Sequence, residues 1–432
     1  MCDLARIVLG DGPVQNWQIT LARGTIMNVP LVAEVLLVAL ISLSALAAAP
    51  TQAEELPPPE KLPVVKELPD PFTFSDGSRV TSPQDWDRRR AEIQNAILYY
   101  EYGRMPEAPG NTTGVELNST ASSAVPGATH KFIKITCGPD KKIGFVLELT
   151  VPKGKGPFPV ILRGDLCWGK MPAEIDAEVI KRGYILAEFN RTELAPDSKG
   201  YKEAGVYQAY PDAECGAIAA WAWGFQRCVD VLMTLDYVDK SKIAVTGHSR
   251  GGKAAILAGA TDTRVALTAP NCSGCGGAGS YKFQAPKSED IVAITKSFPF
   301  WFGPRFEKWF VGVEDGKRVD RTDRLPFDQH ELKALCAPRA FFETEALGDL
   351  WANPTGSRLT YLGAREVYKF LGVPDRIGIV YREGKHEHNA DDWRALLDFA
   401  DFTFFGKKVE RKFDANPFGE QPKAFDWTAP AR

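Results

Sequence analysis

Ser249 stands in the run AVTGHSRGGKAA, residues 244–255, with a glycine two positions to either side: Gly247-His248-Ser249-Arg250-Gly251. The residues before it, KIAVTG, read as a buried strand, and those after it, RGGKAAILAGA, as a helix. A serine on such a strand–turn–helix elbow is lifted above the carboxyl ends of the strands, where its hydroxyl can meet a substrate carbonyl. The hydroxyl is a poor nucleophile until a neighbouring base takes its proton. With 38 glycines in 432 residues the five-residue pattern alone decides little. The test is whether an acid, a histidine and an oxyanion donor follow in the chain order that this elbow requires.

Histidine is scarce enough to make the search short. Of five, His130 lies in an early β-rich region, His248 is in the elbow itself and His330 opens a helix, DQHELKAL. His386 and His388 lie in VYREGKHEHNADDW, after the last strand, and His386 is the expected base. The acid should follow the preceding strand, PRAFFETEA, where Asp349 of LGDLWANPTG can orient the imidazole and stabilise its cation. Glu343 and Glu345, within that strand, remain open as alternatives. Asp391 and Asp392 begin the last helix, where carboxylates belong for dipole reasons alone. The backbone N–H of Arg250 is the expected oxyanion donor, with its guanidinium as a second. Lys253, one helical turn from Ser249, adds a further positive charge, so the site is expected to be cationic and to suit an acidic substrate.

The elements that must position these groups follow from the apolar pattern. SPQDWDRRRAEIQNAILYY has Ser82 as N-cap, Pro83 in the first turn and Asp85 three residues after the cap, a well-signalled helix start. HKFIKITCG and KIGFVLELTVP read as antiparallel strands at a sheet edge. Short apolar strands then recur at FPVILRG, GYILAEFN, KIAVTG, RVALTAPN, PRAFFETEA and RIGIVYRE. Helical stretches at 173–182, 214–236, 250–260, 357–371 and 390–405 separate them. Strands apolar on both faces belong to a mostly parallel sheet covered by helices on both sides. The expectation is one α/β domain over residues 72–432, with segments such as 191–213 and 303–327 as insertions.

A formal net charge of −3, with no basic stripe, argues against nucleic acid as partner. Ten tryptophans leave room for a flat sugar-binding face. VLLVALISLSALAAAPTQAEE carries an apolar run of about fifteen residues, shorter than the roughly twenty of a membrane span and suited to a secretory signal. Residues 1–53 are therefore expected to be an export segment, with Met27 as the start and cleavage after Ala49 or Ala53. Residues 54–71, EELPPPEKLPVVKELPDP, are expected to be a proline-rich linker. The mature enzyme is expected to be secreted or periplasmic, monomeric and free of stable membrane association. Its seven cysteines beyond Cys2 are an odd number, which leaves at least one thiol free. Cys272 and Cys275 have C-x-x-C spacing but read as small residues of a tight loop, NCSGCGGAG, rather than a redox or metal motif.

Taken together, GHSRGGKAA, GAIAAWAWGFQRCVDVL, NCSGCGGAG, SFPFWF, LPFDQHELKALCAPR, GDLWANPTG and GKHEHNADDW resemble the glucuronoyl esterases, carbohydrate esterase family 15, in their bacterial branch. The likeness runs from about residue 83 to 405. It implies an α/β-hydrolase fold and a cofactor-free serine esterase that cleaves the ester between lignin alcohols and 4-O-methylglucuronate on xylan. By the same resemblance Ser249 is the nucleophile, Arg250 the oxyanion-stabilising arginine and His386 the base. Lys253, Glu289 and Trp351 then hold the sugar. One departure stands out: many members carry a catalytic glutamate directly before the glycine-rich loop, where this chain has Cys272. That leaves Asp349 as the acid. A fungal cysteine, part of a disulfide, is replaced here by His248. Two other readings stay open: another carbohydrate esterase, of acetylxylan or pectin methyl esterase type, and a carbohydrate-binding homologue without catalysis.

Overall fold

The computed structural model describes residues 55–123 and 125–431, together with two short strands, Gln18–Thr20 and Ile26–Asn28. The chain divides into two compact units, Met1–Leu56 and Pro57–Arg432. In the first, the two strands pair antiparallel with Ile19 opposite Met27; the rest of the expected export segment lies outside the described residues. No helix among the described residues is long and apolar enough to cross a membrane.

The second unit is built on one nine-stranded sheet. Its strands are β1 (Thr113–Ala121), β2 (Thr129–Cys137), β3 (Ile143–Val151), β4 (Phe158–Arg163), β5 (Ile185–Phe189), β6 (Val238–His248), β7 (Leu267–Asn271), β8 (Ala340–Ala346) and β9 (Ile377–Arg382). They lie in the order β9-β8-β7-β6-β4-β5-β3-β2-β1. Neighbours from β9 through β5 are parallel, and those from β5 through β1 antiparallel. The main helices are α1 (Pro83–Ile97), α2 (Ala173–Lys181), α3 (Ala217–Leu232), α4 (Arg250–Thr261), α5 (Gln329–Ala334), α6 (Pro354–Phe370) and α7 (Ala390–Phe405). The start of α1 is the expected capping box: Ser82 accepts from the Asp85 N–H, and Asp85 accepts from the Ser82 N–H.

Strand alternation decides which helix covers which face. Leu267 and Ala269 of β7 join Ile161, Leu186, Ala244 and Phe342 in one apolar layer, closed by Ile175 and Val179 of α2 and by Trp393, Leu396 and Phe399 of α7. Thr268, between them, points to the opposite face, where it meets Gly259 of α4. This is the α/β-hydrolase arrangement. β2 and β3 are antiparallel as expected, but the edge strand is β1, exposed along its whole length. Its residues, TGVELNSTA, bury nothing, so no apolar pattern announces it.

The proline-rich segment is not a free linker. From Pro57 it is laid against the body, with Leu62, Leu68 and Phe72 buried. The Val65 N–H donates to Asp323 O at 2.7 Å and the Leu68 N–H to Ala424 O at 2.9 Å. Trp427 Nε1–H donates to Leu68 O at 2.7 Å, and His330 Nε2–H to Pro69 O at 2.8 Å. Proline removes amide donors and fixes φ, so the remaining need is to satisfy carbonyls, which the body does.

His330 sits under this strap with its other ring nitrogen, Nδ1, buried and without a partner. Burial therefore pushes His330 down to about 4. The folded state holds it neutral while the unfolded chain protonates it near its ordinary value, so its contribution is present above about pH 6.5 and lost as the pH falls toward 4. Replacing His330→Phe should remove that loss. Urea denaturation from pH 7 to 4 is expected to show wild type losing roughly 3 kcal/mol more than the variant.

Candidate active site

The elbow forms where β6 ends and α4 begins. Ser249 lies between them at φ 54°, ψ −123°, a backbone conformation that side chains rarely adopt. Two hydrogen bonds hold it there: the Ser249 N–H donates to Asn271 O at 2.9 Å, and the Lys253 N–H to Ser249 O at 3.1 Å. The flanking glycines are required by contact. A Cβ on Gly247 would stand 2.4 Å from Gly251 O, and one on Gly251 would stand 2.0 Å from Asp165 Oδ1. Asp165 cannot withdraw, because it accepts from the His248 N–H at 2.9 Å and from the buried Arg191 guanidinium.

The acid and base come from the loops after β8 and β9, and these loops are tied to one another. The Leu347 N–H donates to Arg382 O and the Gly348 N–H to Gly384 O, both at 2.9 Å. Arg382 braces the base loop by donating to Asp392 at 2.8 Å, to Lys385 O at 3.3 Å and to Glu387 O. Asp392 also closes a capping box with Asn389 at the start of α7, which is a structural duty. The result is a continuous line of hydrogen bonds. His386 Nε2 lies 2.9 Å from Ser249 Oγ, and His386 Nδ1 lies 2.5 Å from Asp349 Oδ2. A carboxylate accepts only, so Nδ1 carries the proton and Nε2 is left to accept from the serine hydroxyl. Asp349 is buried and His386 faces the solvent.

The alternative acids are occupied elsewhere. Glu343 accepts from Lys333 at 2.6 Å with both side chains fully buried, and Glu345 accepts from Ser357 at 2.9 Å. Neither reaches His386 by a hydrogen bond. Cys272 is buried at φ 42°, packed with Ala346 and Ala352, and burial pushes its thiol well above the ordinary range. The seven described cysteines are all free thiols, Cys272 and Cys275 included.

Three imidazoles gather beside the serine. The His248 ring lies 4.5 Å from His386 and 5.8 Å from His388, and His388 stacks on Trp393 at 4.9 Å. His248 Nδ1–H donates to Asn271 Oδ1 at 2.6 Å, while Asn271 Nδ2 donates to Thr344 Oγ1 at 2.7 Å, which sets the amide orientation. Burial, followed by the nearby His386, pushes His248 down to about 4. It stays neutral when its neighbour takes a proton.

The expected cationic character is corrected by pairing. Arg250 Nη1 donates to Asp197 Oδ2 at 2.9 Å, and its guanidinium lies over Trp301 at 4.7 Å and Phe298 at 5.1 Å. Lys253 is buried, donating to Ser273 O at 2.7 Å, to Cys275 O and to Glu289 Oε2 at 3.1 Å. Glu289 accepts in turn from Trp351 Nε1–H at 3.1 Å. Lys253, Glu289 and Trp351 are thus brought into one chain of contacts, but each cation has its own carboxylate. Arg250 Nε remains buried without a partner, and as the first residue of α4 its amide has no intrahelical acceptor.

Sequence reading passed over Asp165, Asp197, Asn271 and Trp301. Asp165 and Asn271 stand at or just beyond strand C-termini, the position where sites collect in this architecture, and that was the available signal. Asp197 lies in a segment with no pattern to mark it.

Against known proteins, the sequence profile described as glucuronyl esterase, fungi, matches residues 133–372, a span that holds Ser249 and Asp349 and stops short of His386. The chain is similar to a carbohydrate esterase of an unknown prokaryotic organism, with 34% identity over 78% of this chain and 90% of the other. It is similar to the 4-O-methyl-glucuronoyl methylesterase 1 of Wolfiporia cocos, with 32% identity over 74% of this chain and 76% of the other. Its fold matches that of a carbohydrate esterase family 15 glucuronoyl esterase from Caldicellulosiruptor kristjansonii with a TM-score of 0.70, 30% identity, and coverage of 86% of this chain and 99% of that one.

The packing of the elbow is directly testable. Gly251→Ala must displace a carboxylate already held by two donors, and a cost of about 1–3 kcal/mol is expected in urea denaturation. A variant as stable as wild type would mean that Asp165 can move.

Proposed function

The chain belongs to the glucuronoyl esterases, carboxylic ester hydrolases of carbohydrate esterase family 15, and on that premise we propose that it cleaves esters of 4-O-methyl-glucuronic acid by a Ser249–His386–Asp349 triad. The observation that carries the mechanism is the unbroken line from Ser249 Oγ through His386 to Asp349, at 2.9 and 2.5 Å. As His386 Nε2 takes the hydroxyl proton, Ser249 Oγ attacks the ester carbonyl. The negative charge that develops on the carbonyl oxygen is met by the free Arg250 amide and by its unpartnered Nε–H. His386 then gives its proton to the leaving alcohol, the C–O bond breaks and an acyl-enzyme remains. Water repeats the sequence and releases the uronate. Asp349 holds the imidazole in the required tautomer and balances the imidazolium, and neutral His248 adds no like charge beside it. The side chains supply nucleophile, base and oxyanion donors without any cofactor.

For the sugar we assign the corner of Lys253, Glu289 and Trp351, where the half-exposed Trp351 indole offers a flat face and Glu289, oriented by Lys253 and Trp351, keeps lone pairs that hydroxyls can use. The substrate class rests on the names of the relatives, above all the 4-O-methyl-glucuronoyl methylesterase. Lignin–glucuronoxylan esters are the natural form we assign, acted on outside the cytoplasm by a monomer, in keeping with the apolar run before Ala49.

Hydrolysis of benzyl D-glucuronate should be readily measured for wild type and absent in Ser249→Ala. Asp349→Asn should reduce kcat by about 10³–10⁴-fold, since the amide favours the wrong tautomer. Acetylated xylan and methyl galacturonate are the discriminating controls. Turnover of acetyl esters alone would move the protein to the acetylxylan esterases. Binding of xylan fragments with no turnover of any ester would leave a carbohydrate-binding homologue.

A further inference from the structure

We propose that Trp168 is the seat of the alcohol half of the ester and makes the enzyme selective for aromatic alcohols over small alkyl ones. The inference rests on the triad reading, because it uses the side on which the alcohol departs. The leaving oxygen must collect its proton from His386 Nε2, so the alcohol lies toward the base. His248 touches both partners there: its ring lies 4.5 Å from His386 and 5.9 Å from Trp168.

Trp168 is among the few large apolar side chains of this unit left open, with 47% of its surface exposed. It is nonetheless rigidly mounted. It closes a 3-10 turn, Leu166–Trp168, with its N–H donating to Asp165 O at 2.9 Å. The guanidinium of Arg191, fully buried and paired to Asp165, lies 4.2 Å from the ring centroid. Two nitrogens of Arg191, Nε and Nη2, have no hydrogen-bond partner, so this part of the cation rests on two indoles, Trp168 and, at 5.1 Å, Trp221. The Arg250 guanidinium lies 6.0 Å from the Trp168 ring centroid, and about half of the Trp168 surface stays open beside these two cations. Gly169, the next residue, leaves open space, with nothing within 4 Å of where its Cβ would stand. A flat, preorganised, half-exposed indole beside the base fits an aryl group by offset stacking. A methyl group is too small to use it. Trp351, the other open tryptophan of the cleft, is committed to Glu289 and so to the sugar corner.

The experiment holds the sugar constant and varies the alcohol. Values of kcat/KM for benzyl and methyl glucuronate are measured for wild type, Trp168→Ala and Trp168→Phe. The benzyl-to-methyl ratio is expected to fall roughly 3- to 10-fold in Trp168→Ala, through a raised KM for the benzyl ester, and to return toward the wild-type ratio in Trp168→Phe. A ratio is indifferent to the fraction of enzyme that folds, because both esters meet the same preparation. An unchanged ratio in Trp168→Ala, or a fall that phenylalanine does not restore, overturns the platform while leaving the esterase reading intact. Wild type inert toward both esters would remove the esterase reading and the platform with it.

Discussion

The catalytic edge depends on one buried carboxylate. Asp165 follows β4 directly and is almost wholly enclosed, and it serves three neighbours at once. It accepts the His248 amide, which sets the last residue before Ser249. It pairs with Arg191, which backs Trp168. It fills the space that a side chain at residue 251 would need, so the helix after the serine can begin only with glycine there. A charge removed from water is costly to leave alone, and removing one partner of such a buried pair costs on the order of 3–5 kcal/mol. The pairing therefore does more than stabilise: it fixes the positions of three groups around Ser249 relative to one another. The unusual backbone of Ser249 persists because this surrounding over-determines it.

The same logic of paired charges shapes the cleft. Arg250 and Lys253 are both cations beside the serine, yet Asp197 and Glu289 neutralise them in place. An ester of a uronic acid is itself uncharged at the reacting carbonyl. A cleft of paired ions, with hydrogen-bonding capacity but little net field, matches that ground state. On the proposed mechanism charge arises only as the oxyanion forms, beside Arg250 at the start of α4. Donors that are fixed before the charge appears need no reorganisation to meet it.

Much of this was legible in sequence because the decisive features are periodic or local. The parallel strands announced themselves as short apolar runs, the cap of α1 as Ser-Pro-x-Asp, and the elbow as two glycines around a serine. His386 and Asp349 could be placed because each follows a strand in a required order. What escaped was carried by contacts between distant segments. β1 is held by backbone pairing and a few polar side-chain contacts and has no apolar face to read. The proline-rich strap looked like a linker because its composition is that of one; only the donors to its carbonyls, His330 and Trp427 among them, show that it is packed. The positive residues looked like a cationic site because their acidic partners lie 53 and 36 residues away in the chain.

The position of the acid can be argued to its end. Three places around the base could in principle carry a carboxylate: the residue after β7, the interior of β8, and the loop after β8. Cys272 occupies the first, in a small apolar cluster with Ala346 and Ala352, where a thiol is a hydrophobic filler. In the second, Glu343 is bound to Lys333 and Glu345 to Ser357, so both serve the interior. The loop after β8 remains, and its backbone is hydrogen-bonded to the segment that carries the base. The separation of Asp349 from His386 is set by the backbone ladder of Leu347 and Gly348 against Arg382 and Gly384, not by the side chains alone. The placement of Asp349 beside His386 is thus a property of the sheet edge.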